Sequence, residues 1–159
     1  MKKLLSLFGV LGIGASGSSF VVSCGNDSSE HKDPNEGAEN ESLDAMIERY
    51  KELQKRSDEL SEIVHGKEVQ SHREDDEWLK NNKDVQEDLI VGVDLEVLNY
   101  LICQKDGGID KLKEIGVSEW EIYDSKEKLE KQLNYTVNET GASDETKEYT
   151  RKLIEKYCK

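Results

Sequence analysis

The chain has 159 residues, with 22 basic side chains against 35 acidic ones and a formal net charge of −13 at neutral pH. That length supports one modest core, not several. A surface so acidic repels phosphate backbones and anionic headgroups, because affinity for nucleic acid rests on clustered Lys and Arg that release counterions, and nucleic-acid binding is set aside.

The first 24 residues have the three parts of a secretion signal. Met1, Lys2 and Lys3 form a cationic start, an apolar run extends from Leu4 to about Ala15, and Ser16-Gly17-Ser18-Ser19 give a small polar approach. Val21, Val22 and Ser23 then precede Cys24. This aliphatic, tolerant, small, cysteine order resembles the lipobox of bacterial lipoproteins. The leader as a whole, with its Met-Lys-Lys-Leu-Leu opening and Cys-Gly-Asn sequel, is similar to those of small surface lipoproteins of wall-less bacteria. The resemblance implies a signal peptide over 1–23, cleavage between Ser23 and Cys24, and a diacylglyceryl group with fatty chains of the palmitate class on Cys24. It also implies a location on the extracellular face of the cell membrane, with the membrane itself as partner. Two acyl chains make such an attachment long-lived where one does not. Two other readings of the leader stay open. An ordinary signal peptidase would leave Cys24 as a free thiol, and an uncleaved anchor would use Leu4 to Val22, a stretch diluted by Gly9, Gly12, Gly14 and Gly17.

Residues 24–42 are read as a lipidated, disordered, acidic linker. From Gly25 to Ser42 there is no Val, Leu, Ile, Met or aromatic residue, and the only proline, Pro34, lies here. Such a segment buries too little to offset the entropy of ordering it, and as a flexible chain it spans about 25 Å. The folded domain is then 43–159.

Leu43 to Val64 carries apolar residues at 43, 46, 47, 50, 53, 60, 63 and 64, a helical stripe interrupted at Arg56-Ser57. Ile47 and Ile63 widen it beyond a zipper seam, which favours a helix packed in its own domain over a coiled-coil dimer. Gly66 to Gln70 reads as a polar break, and Ser71-x-x-Glu74 as a capping box opening a segment with Trp78 and Leu79. Asn81-Asn82 ends that segment, and Asp84 with Glu87 caps another. Leu89 to Cys103 is the most hydrophobic stretch. Leu95, Leu98, Leu101 and Ile102 suit a helix, while Val91, Val93, Leu95 and Val97 alternate as in a strand; helix is favoured by the Leu, Glu, Asn and Gln after Asp94.

Gly107-Gly108 marks a turn, and Ile109, Leu112 and Ile115 form a short stripe stopped by Gly116. Ser118 with Glu121 opens a helix carrying Trp120, Ile122, Tyr123, Leu129 and Leu133, with a break near Asp124-Ser125. Asn134 to Ala142 is expected to be a loop, and Ser143 to cap a last helix with Tyr149, Leu153 and Tyr157 on one face. The sum is an all-α fold, a small helical bundle behind a lipidated tether.

Chemistry is sparse. No serine elbow, phosphate loop or His-Glu-x-x-His pair is present in the sequence. Glu62-x-x-His65 is half of a di-metal helix motif without a second copy, so neither His65 nor His72 is assigned to a metal. Cys103 reads as a core thiol, and a disulfide from it to Cys158 is allowed outside the cell. No catalytic residue, metal or cofactor is assigned, and the chain reads as a non-enzyme. The expected function is that of a membrane-tethered surface lipoprotein, a binding or structural module meeting a protein partner. The alternatives are a transporter-associated substrate-binding lipoprotein and, further off, a surface hydrolase.

Overall fold

A computed structural model of the chain describes residues 31–159, within which Asp33–Lys159 forms one packed unit. The segment 1–23 read above as a signal peptide, with Ser23, and Cys24 after it lie outside the described residues. Seven α-helices and two 3₁₀ turns make up the unit, with no strand among the described residues.

The central element is α4, Lys83–Cys103, and its Asn82 cap accepts a hydrogen bond from the Val85 amide at 3.1 Å. Val91, Leu95, Leu98 and Ile102 face α1, Leu43–Val64, and α5, Gly108–Glu114. Ile90, Val93, Val97 and Tyr100 face α6, Lys126–Asn138, and α7, Asp144–Tyr157. Both sets recur at three- and four-residue spacing, so the alternating valines are helical residues clad on two sides. Burial against neighbours on both faces outweighs the small helix penalty of each β-branched residue.

The α1 helix has the expected limits. Ser42 caps it by accepting from the Ala45 amide, and its Met46, Ile47, Tyr50, Leu60 and Val64 are buried. The stripe packs within the chain, against α4, except at Ile63, which is exposed. Ser57, at the expected interruption, is itself buried at 3% exposure, so the stripe continues through a small polar side chain.

Several local expectations are corrected. The segment 66–70 is no break: Lys67–Ser71 forms α2, and Ser71 ends this helix by donating its hydroxyl to the Glu68 carbonyl. The cap of α3, Asp76–Asn81, is Asp75, which accepts from the Trp78 amide at 3.0 Å. Asp caps as well as Ser, and four consecutive acidic residues, Glu74 to Glu77, disguised which one does so. For the same reason Asn82, not Asp84, caps α4. Ser118 and Glu121 do form a reciprocal capping box, yet it opens only the 3₁₀ turn Glu119–Glu121. The chain then runs extended through buried Ile122 and Tyr123, and Ser125 caps α6. That helix continues to Asn138, so the loop begins five residues later than expected. Gly116, with φ +95°, closes α5 as anticipated: its amide donates to Lys113 and that of Val117 to Leu112, both at 3.0 Å. Cys103 and Cys158 are free thiols, which removes the disulfide.

The largest correction concerns the linker. Residues 33–41, assigned above to the disordered tether, lie against the bundle as a strap containing the 3₁₀ turn Ala38–Asn40. Asn35 and Ala38 are fully buried, and Ala38 joins the cluster of Met46, Ile47 and Leu98. The folded unit therefore begins ten residues before Leu43.

Candidate functional site

With α1 on one face of α4 and α6 and α7 on another, two seams are left along the helix, and each receives a carboxylate. Asp94 occupies the seam toward α7, and Glu96, about 200° further round at 100° per residue, occupies the opposite one. Both side chains are buried, at 6% exposure each.

Asp94 accepts a 2.5 Å hydrogen bond from the Tyr149 hydroxyl, while its backbone carbonyl accepts from Asn35 Nδ2 of the strap at 3.0 Å. Burial pushes its carboxyl up to about 7; the Tyr149 bond opposes this, nearby Asp33 adds to it, and Arg49 of α1 opposes it. Asp33 in turn accepts from Lys156 Nζ at 2.8 Å and from the Tyr157 hydroxyl at 2.6 Å, tying the strap to the end of α7. Arg49 Nη1 donates to the Pro34 carbonyl and to Glu41, at 2.9 and 3.0 Å. Lys105 Nζ donates to the Glu39 carbonyl at 2.6 Å.

Glu96 accepts from Gln132 Nε2 of α6 at 2.8 Å through Oε1, while Oε2 is buried with no protein partner. Burial pushes this carboxyl up to about 8, against the pull of the Gln132 bond. One turn on, Asn99 Oδ1 accepts from the Tyr123 amide at 3.0 Å and from the Cys103 thiol at 3.6 Å. The extended 122–123 segment is pinned to α4 in this way. Burial pushes the Tyr50 phenol up to about 12 beside the same asparagine, which opposes the shift.

The residues weighed for chemistry are not assembled. His65 caps the end of α1, its Nδ1 2.7 Å from the Ser61 carbonyl, and it acts on Asp88 near the start of α4. Cys103 ends α4, fifteen residues or about 22 Å along the helix from Asp88, so it forms no pair with His65. His72 stacks on Trp78 with ring centroids 4.2 Å apart. Burial pushes both described thiols up to about 11, which keeps them protonated at neutral pH. No group of three or more His, Cys, Asp or Glu side chains suited to a metal ion occurs among the described residues. No helix among them is long and apolar enough to cross a membrane.

The sequence reading missed Asp94, Glu96 and Asn99. The available signal was their place inside the most apolar stretch of the chain, where a helix clad on two sides leaves no solvent face for them. On the outside, Trp120 and Tyr135 are each 61% exposed and Ile63 44%. No protein-family model, curated protein or solved structure matches the chain.

Proposed function

We propose that the protein is a lipoprotein held at the extracellular face of the cell membrane by a diacylglyceryl group on Cys24, and that its helical body is a binding module that meets a protein partner. The observation that carries this reading is the Val21-Val22-Ser23-Cys24 sequence at the end of a cationic and then apolar leader. The nine residues from Cys24 to Asp33 reach at most about 30 Å when extended, so the body works close to its anchor. Large aromatic side chains supply much of the energy at protein interfaces, and among the described residues Trp120 on its 3₁₀ turn and Tyr135 are the most exposed ones. Their solvation costs the free protein and is relieved on contact. The module works by presenting this surface, while Asp94 and Glu96 are sealed in the seams of α4.

The test is fractionation and intact-mass measurement of the mature protein beside the variant Cys24→Ala. The expected result is a mature chain beginning at an acylated Cys24 and a variant released from the membrane. An unmodified Cys24, or a variant retained as well as the parent, rejects the anchor. Capture of cross-linked partners from intact cells, with Trp120→Ala as the comparison, tests the binding surface.

A further inference from the structure

The strap is held almost wholly by polar contacts. Its one apolar side chain in the core is Ala38, whose burial stabilises little, and the remaining attachments are Asp33 to Lys156 and Tyr157, Asn35 to the Asp94 carbonyl, Arg49 to Pro34 and Glu41, and Lys105 to Glu39. Closing it also strands polar atoms: Asn35 Oδ1 and Arg49 Nε and Nη2 are buried with no protein partner. Orphaned groups of this kind oppose closure. A segment with so little apolar contact and so many offsetting terms opens far more readily than the helices beneath it.

We propose that residues 33–41 are a releasable latch on the bundle, closed while Asp94 carries a proton and loosened when Asp94 ionises. The closed strap bonds Asn35 Nδ2 to the Asp94 carbonyl at 3.0 Å and so holds the Asp33 carboxylate near enough to act on the buried Asp94, and both the burial and the neighbouring charge favour the protonated acid. By reciprocity, a proton on Asp94 favours the closed strap to the same degree. The other groups facing this seam are Arg49 from α1, Tyr149 from α7 and, through Asp33, Lys156 and Tyr157 from the end of α7; Glu36 and Glu39 of the strap lie close to the last two. Arg49 and Tyr149 stabilise an ionised Asp94 in part. They leave its repulsion with Asp33 and its lost hydration uncompensated, and lifting the strap relieves both.

Release has a mechanical consequence that rests on the lipid anchor proposed above, whereas the latch itself does not. Freeing residues 33–42 lengthens the segment between Cys24 and the bundle from nine residues to nineteen. Its extended reach then rises from about 30 to about 65 Å. The distance at which the body can meet a partner would follow the pH at the surface.

Hydrogen exchange on the full chain in detergent micelles tests the latch, read at the amides of Ala38, Asn40 and Glu41, which bond within the strap to Asn35, Gly37 and Ala38. After correction for intrinsic exchange rates, their protection should fall at least tenfold between pH 5.5 and pH 8.5 while the amides of α1 hold. Asp94→Asn should remove that fall. Asn35→Ala, which deletes the side chain bonded to Asp94, should open the strap at both pH values and move the Asp94 titration, followed by carbon NMR, toward the ordinary carboxylate range. Strap protection that is independent of pH, a fall that persists in Asp94→Asn, or an Asp94 midpoint unmoved by Asn35→Ala overturns the proposal. If Asp94→Asn does not fold, the pH series on the parent and the Asn35→Ala arm decide it. None of these readouts depends on acylation, so loss of the anchor and loss of the latch are separate results.

Discussion

Glu96 illustrates how a single buried acid makes stability depend on pH. In the unfolded chain its carboxyl titrates near 4.5, and in the folded protein burial raises it to about 8. Across that window the folded protein holds a proton that the unfolded chain has lost. The stabilisation is therefore fully present below about pH 4 and is lost progressively as pH rises toward 8, by at most about 1.4 kcal/mol per unit. Asp94 acts in the same direction between 3.8 and about 7. Glu96→Gln keeps the shape and the oxygen that Gln132 donates to while removing the charge. Denaturant titrations at pH 5 and pH 8.5 should show the variant gaining stability at the higher pH and little at the lower; equal effects at both would refute the assignment of a protonated Glu96. Tyr149→Phe removes the hydroxyl bonded to Asp94 and should cost about 1–3 kcal/mol, because it leaves a buried carboxyl short of its partner. Trp120→Ala, by contrast, should leave the melting temperature within a degree or two of the parent, since the side chain is mostly in solvent.

Two glycines separate what a helix tolerates from what a helix junction tolerates. Gly92 lies inside α4, and a Cβ there meets nothing within 4 Å. Gly92→Ala should stabilise the protein by about 0.5–1 kcal/mol through the lost backbone freedom of the unfolded chain. Gly108 opens α5, where an added Cβ would stand 1.8 Å from the Ile102 carbonyl oxygen at the end of α4. Gly108→Ala must push the two helices apart and should cost about 1–3 kcal/mol. Opposite signs in thermal unfolding are expected from the same chemical change. The helix junctions also show what was legible. Gly116 and Ser143 act through bonds to residues within one turn, so local pattern identified them, whereas Ser42, read as the end of the linker, caps α1. Ser71 failed because Asp75 competed four residues away, and local pattern has no means to rank two good caps.

At the scale of the whole molecule, the strap decides where the folded unit begins. A chain beginning at Asp33 keeps every strap contact, and one beginning at Leu43 loses them all. Both should give helical circular dichroism, since Ala38 is the only strap residue in the clusters that α4 forms with its neighbours. The shorter one should unfold at lower temperature and expose the Ala38 site. Equal melting temperatures would show that the strap contributes nothing to the fold.

Helical class, the limits of α1 and the core role of 89–103 were determined by the sequence alone, because each is written in spacing or composition over a few turns. Only the tertiary structure decided which polar residues go inside. The bond from Asn35 to Asp94 spans 59 residues and that from Asp33 to Lys156 spans 123, and no periodicity carries such pairings. A segment without large apolar side chains looks unable to order itself, and by itself it is; partners brought close by the folding of α1, α4 and α7 order it instead. The same long-range packing sealed Asp94 and Glu96 into the seams.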